Sequence, residues 1–171
     1  RLITIPTDYP NIVSLYIVVG AGSRNEVEPG KTGYAHLFEH LMFRGTAEFP
    51  AAKYSEALKT DGAASNAFTS SDLTAFHTTF SKEDLAAILS MEADRFQHLD
   101  YTEAAFKTET LAVLGEYNKD SADPAQQLYE TLRATAFKVH PYRHTTMGFL
   151  KDVEAMPNGY AYSREFFSRY Y

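Results

Sequence analysis

Residues 63–80 read AASNAFTSSDLTAFHTTF. Ala63 to Thr69 and Leu73 to Phe80 are strand-like, and Ser70-Ser71-Asp72 joins them as a short polar turn. In the second run Leu73, Ala75, His77 and Thr79 alternate with Thr74, Phe76, Thr78 and Phe80, the period of a strand. A hairpin is therefore predicted. Ser81-Lys82-Glu83-Asp84 follows with capping-box spacing and should open a long helix reaching about Leu99. Leu85, Ile88, Leu89, Met91 and Phe96 would form its buried face.

Upstream, Ile12 to Gly20 (IVSLYIVVG) is rich in β-branched residues and reads as another strand. Gly20, Gly22, Pro29, Gly30 and Gly33 mark a loop. Tyr34 to Arg44 reads as a helix stopped by Gly45, and Pro50 to Lys59 as a second helix broken by Asp61-Gly62. Downstream, Thr102 caps a helix through Asn118, and Asp123-Pro124 starts another to about Lys138. His140-Pro141-Tyr142 is a loop, and Gly159 precedes a last helix ending near Tyr170-Tyr171. Three strands followed by long helices predict an α+β class, an antiparallel sheet with helices packed on one face.

The chain has 171 residues, enough for one domain with a sizeable core. Its net charge is -6, with 16 basic residues scattered along it, which argues against nucleic acid as a partner. The longest apolar run, Ile12 to Val19, is interrupted by Ser14 and is too short for a membrane span. No basic segment followed by an apolar stretch opens the chain, so no signal peptide is read in it. The absence of cysteine excludes disulfides, thiolate metal sites and cysteine nucleophiles. Any metal must be held by His, Asp or Glu.

The segment His36-Leu37-Phe38-Glu39-His40 lies on a predicted helix. At about 100° per residue, His36 and His40 sit roughly 40° apart on one face, one turn above the other. Glu39 falls within the same arc. Two imidazoles at this spacing can point at one divalent ion, and a carboxylate as third ligand leaves a position for water. The ion lowers that water's pKa, and a neighbouring carboxylate can take its proton and pass it to a leaving amine. Leu37, Phe38, Leu41, Met42 and Phe43 make the rest of the helix apolar. The bland alternative, a solvated His/Glu face, fits poorly with so much burial. The third ligand should come from the Thr102 to Asn118 helix. Glu109 and Glu116 lie two turns apart on it, on a face shared with Ala105, Phe106, Ala112 and Val113. Spacing alone does not choose between the two.

The run Gly33-Tyr34-Ala35-His36-Leu37-Phe38-Glu39-His40-Leu41-Met42-Phe43-Arg44-Gly45-Thr46 resembles the zinc motif of the pitrilysin/insulinase-type (M16) peptidases. Gly22-Ser23-Arg24-Asn25-Glu26 is similar to the family's upstream loop. The likeness covers nearly the whole chain, through His140-Pro141-Tyr142, Gly148 and Phe166 to Tyr171. It implies a zinc-dependent peptidase with one Zn2+ held by His36, His40 and Glu116. Glu39 is then the general base, and Glu109 supports the metal site and the catalytic geometry. Gly115 departs from the acidic or larger residue usual before the third ligand. Ala64 to Thr69 resembles the edge strand along which the family binds extended peptides, which makes Asn66 and Ala67 candidates for contacting substrate.

The resemblance further implies that residues 1–171 form the amino-terminal part of a single M16 domain, incomplete, with later strands and a second homologous domain or subunit absent. Bacterial relatives are often exported, so a periplasmic or exported setting is the lean. Two other readings compete. A non-catalytic M16-type subunit that binds a partner chain would usually have lost parts of the motif. A helical protein with an exposed His pair would keep Glu116 far from it. His77 is read as a packing or surface residue, His140 as a turn anchor, and the acidic run Glu26 to Glu28 as a solvated loop.

Overall fold

The structure, a computed structural model, describes all 171 residues. Strand β1 (Ile12–Val19) is followed by helices α1 (Tyr34–Leu41) and α2 (Ala51–Thr60), then by the hairpin β2 (Ala64–Thr69) and β3 (Thr74–Ser81). Helices α3 (Leu85–His98), α4 (Glu103–Asp120), α5 (Pro124–Ala136), α6 (Leu150–Ala155) and α7 (Tyr160–Tyr170) complete the chain. The sheet is antiparallel in the order β1-β3-β2, so β2 is an edge. Asn66 pairs with His77 and Ala67 with Phe76 in the hairpin register.

Alternation decides which way the sheet faces. Val13, Leu15, Ile17 and Val19 of β1 turn toward the helices, while Tyr16 and Val18 lie exposed on the other side. Phe68 of β2 is exposed as well, and Tyr16 stacks on His77 there. Helices therefore cover one face only, an α+β arrangement. No helix is long and apolar enough to cross a membrane.

Helix α1 is the centre of the core. Tyr34, Leu37, Phe38 and Leu41, spaced i, i+3, i+4 and i+7, are all fully buried. Phe38 stacks on Phe166 of α7 at 5.3 Å between ring centroids and meets Tyr171 at 5.2 Å. Burying four such side chains removes their apolar surface from water at about 1.5–3 kcal/mol for each large one. That sets the rotation of α1 and leaves His36, Glu39 and His40 on the opposite side. Gly33 begins the helix at φ +93°, in the left-handed region, where a Cβ would meet the Met147 carbonyl and the Met156 methyl at 3.0 Å.

Several local expectations shift. The helix expected over Tyr34 to Arg44 ends at Leu41 and continues as a 3-10 turn, Met42–Arg44. The capping box at Ser81 does not form. Ser81 is the last residue of β3, paired with Ile12, and its hydroxyl donates to Glu83. A 3-10 turn, Lys82–Asp84, precedes α3. Thr102 and Asp123 do cap their helices, accepting from the N–H groups of Ala105 and Ala125. Helix α5 stops at Ala136, two residues early, and Ala112 of α4 is exposed.

Candidate metal centre

Helices α1 and α4 pack side by side, and β2 lies along the other flank of α1. Where α1 and the turn after it face α4 is a cavity of about 400 Å³ lined by Glu39, His40, Phe43, Arg44, Glu109 and Glu116. His36 Nε2 and His40 Nε2 approach to 3.3 Å. Glu116 places one carboxylate oxygen 3.3 Å from His36 Nε2 and the other 3.6 Å from His40 Nε2. One ligand atom from each of the three residues falls within a 4.8 Å span. The corners of a tetrahedron centred about 2.0–2.1 Å away are about 3.3–3.4 Å apart, so this donor set fits a zinc ion.

The burial is graded. His36 is 8% exposed, whereas the Glu116 side chain is 48% exposed and faces the open side of the cavity. Burial, and then the neighbouring His40, push the His36 imidazolium down to about 4, so its ring is neutral and its nitrogen lone pair free at neutral pH. His36 Nδ1 is buried without a hydrogen-bond partner.

Spacing left Glu109 and Glu116 equivalent, and the coordinates separate them. Glu109, 6% exposed, lies one ring atom farther back. Its Oε2 accepts from His40 Nδ1–H at 3.2 Å. That bond fixes the tautomer with the proton on Nδ1 and presents bare Nε2 to the cavity. The other Glu109 oxygen pairs with Arg44, so the buried carboxylate has a countercharge. Arg44 was not singled out from the sequence. Its place directly after the motif helix was the only local signal.

Glu39 is half-buried at the cavity wall, and Thr69 Oγ1, at the end of β2, donates to its Oε2 at 2.6 Å. The sequence did not mark Thr69 as a partner, because the contact joins a strand to a helix 30 residues away. Asn66 and Ala67 do not line the cavity. Both lie on the edge strand, with Asn66 exposed and its Oδ1 accepting from Ala67 N–H at 2.9 Å. His77 stays on the outer sheet face, and His140 Nδ1 accepts from Tyr142 N–H in a turn.

Within the acidic run read as solvated, Val27 is exposed and Glu28 half-exposed, but Glu26 contradicts the reading. Glu26 is 3% exposed, and its two oxygens accept from Gly33 N–H at 2.8 Å and Ala35 N–H at 2.7 Å. Burial pushes its carboxyl up to about 8, against the pull of the Ala35 and Gly33 N–H groups. The nearby Asp152 adds to the rise. Its partners are Gly33 and Ala35, at the start of α1, and His144, much farther along the chain, and no local pattern reports them.

Comparison with known proteins identifies the family. The family model described as Insulinase (Peptidase family M16) matches residues 1–149. A zinc protease, PqqE, from Helicobacter pylori is 31% identical over 156 residues, covering 90% of this chain and 35% of that protein. Human insulin-degrading enzyme is 31% identical over 158 residues, 92% of this chain and 15% of its own length. The chain thus spans about a third or less of these relatives. A protease from Helicobacter pylori superposes with a TM-score of 0.92 at 31% identity over 97% of this chain and 40% of the other. The first half of the periplasmic protease PqqL from Escherichia coli has the same fold, with a TM-score of 0.78 at 22% identity over 94% of this chain and 35% of the other. With the zinc-motif helix, its facing carboxylate and the matching family model together, the chain belongs to peptidase family M16.

Proposed function

We propose that this chain carries the reaction centre of a zinc-dependent peptidase that hydrolyses peptide bonds in peptides or small unfolded proteins. The observation that carries the reading is the convergence of His36 Nε2, His40 Nε2 and a Glu116 oxygen beside the Glu39 carboxylate. When bound, zinc would supply Lewis acidity, acidifying a water and drawing electrons from the scissile carbonyl.

The protein's own groups do the rest. Glu39 takes a proton from the attacking water and returns it to the leaving amine nitrogen. Thr69 holds one Glu39 oxygen, so the other is free to face the water. Glu109 keeps the His40 proton on Nδ1 and is itself held by Arg44. The unpaired edge of β2 offers backbone groups to an extended peptide, which would add as a further strand. Asn66 and Ala67 sit in the middle of that edge, and Asn66 must release the Ala67 N–H for the peptide to take it. The match to only part of each longer relative supports a second M16-type domain or subunit closing over the cleft.

Glu39→Gln tests the reading. The variant should retain one zinc per chain, measured by elemental analysis, and lose hydrolysis of a fluorogenic unfolded peptide by the complete enzyme. Retained turnover removes Glu39 as the base, and absence of zinc from the unmutated protein removes the site.

A further inference from the structure

At the amino end of α1 lies a buried group that the proposed chemistry does not use. Glu26 reaches the amino end of α1 and accepts from two N–H groups of its first turn, those of Gly33 and Ala35. These are groups that a helix cannot satisfy internally. Gly33, in the left-handed conformation, has no side chain to cap the helix and makes no side-chain cap bond. Glu26 takes over that task from seven residues upstream.

The anchor extends beyond α1. Thr32, the residue before Gly33, donates its hydroxyl to Asp152 Oδ2 at 2.7 Å and accepts from Phe149 N–H at 2.8 Å. Asp152 and Thr32 are both buried. His144 Nδ1 lies 3.7 Å from Glu26, at the back of the same cluster. Asp152 belongs to α6, and α6 packs on α4, the helix that carries Glu116. Glu26 thus holds Gly33 and Ala35, Asp152 holds the adjacent Thr32, and Asp152 lies on the helix that packs against α4, the element carrying the third ligand.

We propose that Glu26 is a positioning residue for the metal site: its grip on the Gly33 and Ala35 N–H groups sets the height and rotation of α1 so that His36 and His40 meet Glu116. This rests on the zinc reading above. The ligand separations leave little slack. A helix turns about 100° for each 1.5 Å of rise, and a modest rotation of α1 carries both imidazoles away from a carboxylate on a different helix. The apolar face of α1 resists gross displacement through Phe38 and Leu41. Fine placement of its first turn, which bears His36, falls to hydrogen bonds with a fixed direction.

The test compares Glu26→Ala, Glu26→Asp and Ile88→Ala with the unmutated protein. Ile88 is buried in a separate small core with Tyr54, Leu58, Phe80 and Met91, so it reports general loss of stability. Zinc affinity is measured by competition with a chromophoric chelator, and the d–d spectrum of the cobalt-loaded protein reports ligand geometry. Glu26→Ala should weaken zinc binding about tenfold or more, the factor set by about 1.4 kcal/mol, and alter the cobalt spectrum. Glu26→Asp, which restores a carboxylate on a shorter arm, should recover part of both. Ile88→Ala should lower the melting temperature and leave affinity and spectrum unchanged.

Unchanged zinc affinity in Glu26→Ala overturns the inference, as does equal weakening in Ile88→Ala. If Glu26→Ala does not fold, Glu26→Gln decides. It keeps the shape but turns one acceptor into a donor facing an N–H, and wild-type affinity in it overturns the inference equally. Failure of the unmutated protein to bind zinc overturns the zinc reading itself, and this inference falls with it.

Discussion

Stripping zinc from the protein should lower its melting temperature by about 8–16 °C. His36 and His40 come from α1 and Glu116 from α4, so an ion at their centre ties two helices that otherwise meet through side-chain packing. One donor atom from each of the three residues already lies within 4.8 Å of the others, so binding spends little on reorganisation. The unfolded chain has no such cluster. At free zinc about a thousandfold above the dissociation constant, linkage adds about 4 kcal/mol to the folded state. Each kcal/mol moves the midpoint of a chain this size by about 2–4 °C, which gives the stated range. The assay is scanning calorimetry at fixed protein concentration, after chelator dialysis and again after zinc is restored. Glu116→Gln replaces a charged ligand oxygen with a neutral one. A hundredfold weaker affinity leaves about 1.4 kcal/mol and a shift of about 3–6 °C. Identical midpoints with and without zinc, or a full shift retained in Glu116→Gln, would show that these three residues do not share the ion.

Three further outcomes are expected. Glu109→Gln should cost about 10–100-fold in zinc affinity, less than Glu116→Gln, because it acts only through the His40 ring; the reverse ranking in a chelator competition would exchange their roles. Thr69→Val keeps the strand's shape and removes one hydrogen bond to a carboxylate, worth about 1.5–3 kcal/mol, so kcat of the complete enzyme should fall at least tenfold at unchanged zinc content, and a change under twofold would dismiss the contact. In the zinc-free protein, His36 titrates near 4 instead of 6.5 when folded, so its contribution is present above 6.5 and is lost as pH falls toward 4. Glu26 titrates near 8 instead of 4.5, so its contribution is present below 4.5 and is lost as pH rises toward 8. The two oppose each other up to pH 6.5, and above it Glu26 acts alone. Urea midpoints should therefore decline from pH 6.5 to 8 and stop declining in Glu26→Gln; a flat or rising curve in the unmutated protein would contradict this.

What the sequence discloses follows the range of the interactions involved. The hairpin, the apolar residues Leu37, Phe38, Leu41 and Met42 of the motif helix, and the caps at Thr102 and Asp123 are set by residues close in the chain, and all were legible. The presence of both histidines on one side of α1 is a matter of helical pitch and was equally plain. Choosing between Glu109 and Glu116 was not, because the face they share says nothing about how far along α4 the histidines sit. That offset depends on how α1 packs across α4, with α7 fixing α1 from the other side. Ser81 illustrates the opposite failure. Its local pattern fits a helix cap, but pairing with Ile12 commits its backbone to the sheet. Glu26 was misread because a carboxylate between Asn25 and Val27 resembles any loop residue until Gly33, Ala35 and His144 enclose it. Arg44 and Thr69 escaped for the same reason, since each finds its carboxylate on another element.

Two imidazoles of α1 and one carboxylate of α4 should share a single zinc ion. Crystals of the zinc-loaded protein, measured on both sides of the zinc absorption edge, test it most directly. One anomalous peak per chain is expected, within about 2.0–2.2 Å of His36 Nε2, His40 Nε2 and a Glu116 oxygen. A peak bound to Glu109 instead, or zinc found only elsewhere on the surface, would contradict it.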